Sequence, residues 1–300
     1  MNSVRLAWML FAAHVGLIIF STAAMLTVLA GTVDVSGEPA ATIMRLSFRF
    51  AGPLYVLLGT ACAVAFLGGT LGWRRAMAVA ATASILALGA ELVGTSTGLP
   101  FGDYTYSGLL GYRIFGLVPF PIPLSWFYML LGSLVIMARL TTGLDHVRTR
   151  WKWALGAGLL MVAWDISMDP AMVKTGHWSW GTGEMFRDSG ISAVVAFFTA
   201  DAFYGMPLSN WFGWLLTAAL IARAMLGIIP PARVRAKLAP STLPVALYLA
   251  NGVMPVALCL RDGSWWAAAL GTVAMAVPAV MALRAGGAPR GIHLPEHRAA

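Results

Sequence analysis

Charge is what this 300-residue chain has least of: Asp, Glu, Lys and Arg together make up 11% of it, against roughly 25% in an ordinary soluble domain. With 59% hydrophobic residues, that scarcity excludes a soluble globular protein. Cysteine is scarcer still, and Cys62 and Cys259 both fall inside apolar runs, where they read as small core residues and not as a disulfide or metal pair. The few histidines show no metal-ligand spacing, which argues against a zinc site. What the chain does have is 32 Gly, 16 Met and 12 Trp spread over long apolar runs. Glycine is tolerated in membrane helices because neighbouring helices satisfy the backbone, so the pattern predicts an all-α, polytopic bundle forming one integral membrane domain over residues 1–300.

A span needs about 20 mostly apolar residues. Eight stretches qualify: 6–29, 52–72, 76–95, 123–140, 153–168, 207–227, 243–260 and 265–283. No small-residue cleavage site follows a short apolar core at the N-terminus, so the first stretch is expected to be a span. Of the 20 Lys and Arg residues, 14 fall on one side of this arrangement and 6 on the other. Basic residues concentrate in cytoplasmic loops, so both termini are expected in the cytoplasm and the bundle in the plasma membrane. The +8 net charge is then an orientation signal and not a nucleic-acid footprint. One apolar segment, 191–200, is only half a span long and is bracketed by Asp188 and Asp201; it is expected to be an interfacial or re-entrant piece.

The acids follow the opposite geography. Most lie in or beside the non-cytoplasmic loops, while Glu91 and Asp165 fall within the outer halves of the third and fifth spans. Ionisable groups at such depth are expensive and usually face a cavity or a partner. An internal similarity surrounds them: Glu91 and Asp169 each precede a Thr-Gly pair by the same interval, aromatic residues follow both, and each unit reaches a Pro-Leu-Ser start of the next span at Pro123 and Pro207. The expectation is a parallel repeat in the central four spans, with carboxyls facing one another across a shared cavity.

The densest chemical signal is Trp164-Asp165-Ile-Ser-Met-Asp169-Pro170. Two aspartates four apart share a helix face, and Pro170 is expected to end the helix just beyond them. A carboxyl there that keeps its proton is what general-acid chemistry needs; the structural alternative is a pair that caps backbone or meets Arg113 or Arg187. Glu91, with Thr95 one turn on, is the third candidate, whereas Asp103 in a Gly-rich loop suits a turn. Tyr104, Tyr106, Trp126, Trp164, Trp178, Trp180, Trp211 and Trp214 gather near the outer boundary. Several belong to an interfacial aromatic belt, but an aromatic face also stabilises a cation by roughly 0.5 to 2 kcal/mol.

Together, Phe101-Gly-x-Tyr104-x-Tyr106, Val118-Pro119 with Ile122-Pro123-Leu-x-Trp126, Trp164-Asp165-x3-Asp169-Pro170, Gly176-x-Trp178-x-Trp180 and Tyr204-Gly-x-Pro207-Leu-x-Asn210-x-x-Gly213-Trp214 resemble the bacterial and archaeal carotenoid hydratase family. The resemblance covers residues 89–214, where the catalytic centre is expected, and the interval from Trp180 to Tyr204 is longer than the family pattern. It implies addition of water to the terminal double bond of an acyclic or monocyclic carotenoid, through a tertiary carbocation, without a cofactor. No nucleotide or flavin fingerprint speaks against that. On this reading Asp165 and Asp169 share the proton that reaches the alkene, and Glu91 orients or deprotonates water. Tyr104, Tyr106, Trp126, Trp164, His177, Trp178, Trp180 and Asn210 would contact the substrate. The expected partners are carotenoid, water, membrane lipid and other enzymes of the pathway, with no nucleic acid. Two other readings fit less well. A proton-coupled transporter would use the three carboxyls as a relay, and a membrane prenyltransferase would need further carboxylates and Mg²⁺.

Overall fold

The computed structural model describes residues 2–29, 37–141, 147–181 and 201–286. The apolar segment at 191–200, with Glu184, Arg187 and Asp188, lies outside them. Long helices dominate: α1 (Ser3–Leu29), α2 (Glu38–Leu71), α3 (Trp73–Thr97), α4 (Pro121–Leu140), α5 (Val147–Lys174) and α6 (Leu208–Ile228). After a helical turn at Val234–Leu238 come α7 (Leu243–Ala250), α8 (Val253–Arg261) and α9 (Trp265–Ala285). Among the described residues, seven helical stretches are long and apolar enough to cross a membrane, α7 and α8 counting together as one. The remaining predicted span is α5, long at 28 residues but carrying Arg148, Arg150, Lys152, Asp165 and Asp169. The chain is thus a multi-pass helical membrane protein.

Its surface has the inversion that lipid demands. Ile19, Phe20, Ile85, Leu159, Leu220 and Val273 are half or more exposed, while His14, Glu91, Asp165, Asp169 and Asn251 are buried. In lipid there is no hydrophobic drive to bring helices together, so close packing and interhelical hydrogen bonds carry association. α4 occupies the centre, touching α2, α3, α5, α7 and α9, and most of its length is enclosed. On α3 the buried stripe is Ala76, Val79, Ala80, Ala83, Ala87, Glu91 and Gly94, a helical period of small residues that lets α4 approach and carries Glu91 inward.

Two boundaries differ from expectation. Pro170 does not end α5, which runs on to Lys174. Proline removes one donor, from the bond to the Ile166 carbonyl, but the packed bundle carries the helix past that defect. The seventh predicted span is broken at Asn251-Gly252 into α7 and α8. The polar groups there are tied across the bundle: Tyr128 donates to Asn251 Oδ1 at 3.1 Å, Asn251 Nδ2 meets His14 Nε2 at 3.2 Å, and Trp164 Nε1 donates to the Asn251 carbonyl at 3.0 Å. At the opposite end of α4, Arg139 donates to the carbonyls of Ala239 and Ala282 and ties the turn and α9 to the centre.

Short strands occupy one end of the bundle: β1 (Tyr104–Tyr106), β2 (Arg113–Ile114), β3 (Val118–Pro119), β4 (Trp178–Trp180), β5 (Asp201–Phe203) and β6 (Met206–Pro207). The loop after α3 and the loop after α5 join as an antiparallel ribbon in which Tyr104 pairs with Trp180 and Tyr106 with Trp178. The loop after α3 can turn so tightly because Gly98 takes φ 73, the left-handed conformation that closes many helix C-termini.

Candidate active site

Alternation along a strand sends residues two apart to the same face. In β1 that places Tyr104 and Tyr106 together, with Thr105 turned outward; in β4 it pairs Trp178 with Trp180. These four rings point into the bundle from the ribbon, and each pair ends on one carboxyl.

Tyr104 Oη donates to Glu91 Oε2 at 2.6 Å and Tyr106 Oη donates to the same oxygen at 2.8 Å. From α4, Trp126 Nε1 donates to Glu91 Oε1 at 3.1 Å. Tyr104 reaches this position because Gly94 lies beneath it: a Cβ there would stand 2.7 Å from the phenol oxygen. On the other side Trp178 Nε1 donates to Asp169 Oδ1 at 2.5 Å and Trp180 Nε1 to Oδ2 at 3.0 Å. Glu91 on α3 and Asp169 on α5 therefore hold the same relation to opposite strands of one ribbon. Burial, and next the negative charge of Glu91, push the Tyr104 and Tyr106 phenols well above their ordinary range. Both stay protonated as hydrogen-bond donors.

Asp165, one turn before Asp169, is wholly buried. Its Oδ2 accepts from Asn210 Nδ2 on α6 at 2.9 Å, while Oδ1 has no hydrogen-bond partner among the described residues. Neither aspartate meets Arg113, whose guanidinium donates to the Tyr106 carbonyl at 3.0 Å and braces the ribbon instead. Thr95 bonds back to the Glu91 carbonyl at 2.8 Å. Asp103 accepts the Gly181 N–H through its backbone, closing the ribbon at its end.

Glu91 and Asp169 face one cavity with roughly 800 Å³ of empty space counted to its open mouth. Tyr104, Tyr106, Trp126, Trp164, Trp178, Trp180 and Asn210 also line it, so the structure brings together all but two of the residues expected to be catalytic or to contact the substrate. Asp165 is one exception, sitting behind the wall. His177 is the other: it meets Thr175 Oγ1 at 2.8 Å and lines a neighbouring crevice. Burial lowers its imidazole to about 4, so it is neutral near neutral pH.

Sequence reasoning named Trp214 as an aromatic near the outer boundary, with no place at the site, and did not name Asn251. Trp214 stacks on Trp126 with ring centres 4.5 Å apart and stands edge-on to Trp164 at 5.8 Å, extending the aromatic wall. Asn251 also lines the cavity; a polar residue within a predicted span was the signal for it. Among the described residues, no three His, Cys, Asp or Glu side chains gather as a metal site requires.

The arrangement can hold a proton beside an apolar, aromatic-walled space, with a second carboxyl opposite. The family described as carotenoid biosynthesis protein matches residues 51–278. A curated relative, the bisanhydrobacterioruberin hydratase of Haloarcula japonica, is 28% identical over 207 residues, which is 68% of this chain and 60% of the relative. The chain thus matches less than two thirds of that relative's length. No solved structure matches the chain.

Proposed function

From a chain that belongs to the carotenoid biosynthesis protein family, we propose a carotenoid hydratase that adds water to the terminal carbon–carbon double bond of an acyclic carotenoid end. The observation that carries this reading is the pair Glu91 and Asp169, on different helices, each held by aromatic donors of one ribbon and both facing one aromatic cavity. The relative's name supports water addition as the reaction class.

The chemistry needs a proton, shelter for a tertiary cation, and a base for the incoming water. Asp165 and Asp169 hold the proton as a coupled unit, and it leaves through Asp169, the member on the cavity wall. Protonation of the less substituted alkene carbon forms a C–H bond and leaves the cation on the carbon bearing two methyl groups. Trp126, Trp164 and Trp214 line the cavity around it, and a ring whose face meets the cation contributes about 0.5 to 2 kcal/mol. Water then forms the C–O bond and gives its extra proton to Glu91. Three donors and no donated bond suit Glu91 to a carboxylate that can accept it. The proton returns to the aspartates through cavity water, so one water is consumed and nothing is oxidised or reduced.

The bias of Lys and Arg to one set of loops supports a plasma-membrane bundle with both termini cytoplasmic, and the site then lies toward the non-cytoplasmic face. The test is pigment analysis in cells that make lycopene. Expression should convert it to a product heavier by one water, and unchanged pigment with the protein intact in the membrane would refute the reading.

A further inference from the structure

A substrate insoluble in water must reach the cavity from the bilayer, and the long polyene behind its reacting end needs a place to lie. Beside the carboxyl cavity is a second crevice with roughly 570 Å³ of empty space counted to its mouth. Its outer walls are Phe20 and Ala24 of α1 and Ala51 of α2. Its inner wall is Tyr55, Leu110, Met172 and Met254, and these same four residues also line the carboxyl cavity. The two spaces therefore share a partition. Phe20 in this lining is 53% exposed, as a side chain turned toward lipid would be.

Among the described residues none of those lining it is Asp, Glu, Lys or Arg, and His177 contributes a neutral ring. Phe20, Ala24, Met25, Ala51, Leu110, Met172 and Met254 make most of the wall apolar, which suits a hydrocarbon, with Ser21, Ser47, Tyr55 and His177 as its polar groups. The methionines on the partition are unbranched and adaptable, so they can shift to admit a rod-like chain. α2 reaches the carboxyl cavity through Tyr55 and Val56, and the other walls of that cavity include residues of α3, α4, α5, α6 and α8, whereas α1 lines only the crevice.

We propose that the crevice between α1 and α2 is the lateral portal and stem-binding subsite for the linear polyene of the substrate, whose end group passes the Tyr55–Leu110–Met172–Met254 partition to reach Glu91 and Asp169. This rests on the hydratase reading above for the identity of the substrate.

The test plugs the crevice from either wall, with Ala24→Trp and Ala51→Trp, and uses Ile19→Trp as a control because Ile19 is 58% exposed and outside the crevice lining. Protein is purified in detergent from lycopene-producing cells, and both bound pigment per protein and hydrated product are measured. Each plug should cut bound pigment at least tenfold with an unchanged melting temperature, while Ile19→Trp keeps the wild-type ratio. Asp169→Asn should keep its pigment and lose the product, separating binding from chemistry. Wild-type pigment in both plugged variants, an equal loss in the Ile19 control, or no pigment on the unmodified protein would overturn the portal. Bound pigment in the unmodified protein without any hydrated product would instead overturn the hydratase reading and leave the crevice a polyene site.

Discussion

Removing the phenol hydroxyls from Glu91 should reveal the charge this residue works with. Tyr104 and Tyr106 both donate to Oε2, at 2.6 and 2.8 Å, and Trp126 serves Oε1. If Glu91 works as a carboxylate, each phenol bond is charge-assisted and worth about 1.5 to 3 kcal/mol. At about 1.4 kcal/mol per tenfold, Tyr104→Phe and Tyr106→Phe should each slow product formation roughly 10- to 150-fold. Bonds to a neutral acid would be worth about 0.5 to 1.5 kcal/mol, or roughly 2- to 12-fold. The double variant should lose less than the product of the two single effects, because both bonds end on one oxygen and neighbours in one network do not add. Glu91→Gln, which keeps the shape and removes the charge, should be at least as impaired as the double variant. The assay is the initial rate of hydrated carotenoid in isolated membranes supplied with lycopene, identified by mass and normalised to enzyme content. Two phenylalanine variants within threefold of wild type, beside an inactive Glu91→Gln, would refute a carboxylate held by these donors.

Asp165→Asn and Asp169→Asn should each lower the same rate by about 10² to 10⁴, the usual worth of a general acid, with normal membrane insertion; full activity in both would remove the pair from the mechanism. Trp214→Leu should cost up to roughly 30-fold if its face contributes about 2 kcal/mol to the cation, read as a fall in rate with bound pigment retained. His177 supplies a pH signature. Its folded value of about 4 lies below the ordinary 6.5, so the unfolded chain takes up a proton first and stability is lost as pH falls from 6.5 toward 4. At pH 5 the loss should be about 1 to 2 kcal/mol; melting in detergent should drop between pH 7 and pH 5, and His177→Gln should flatten that drop. Reporter tags on the two termini should both read cytoplasmic, and either one outside would break the orientation.

Much of the scaffold was legible along the chain because hydropathy is a local property. A membrane span must satisfy its own backbone and present apolar side chains to lipid, so the run of residues alone identifies it. Two expectations fail: Pro170 is expected to end a helix and 243–260 to form one span, whereas the surrounding bundle carries α5 past the proline and ties the break at Asn251 to His14, Tyr128 and Trp164. The carboxyls were visible in sequence because charge in an apolar run is costly. Their roles were not.

Sequence by itself determined the class of protein, the approximate spans, and the few acids and aromatics worth watching, through the cost of placing charge and open backbone in hydrocarbon. Tertiary structure decided the partners. Glu91 meets Trp126 from 35 residues away, Asp165 meets Asn210 from 45, and Tyr104 comes to face Trp180 only because two loops join as a ribbon. It also placed Asp169 on the cavity wall with Asp165 behind it, and moved His177 to the neighbouring crevice. Hydrogen bonds act over about 3 Å, and no periodicity along a chain specifies which distant groups the folded helices bring within that range.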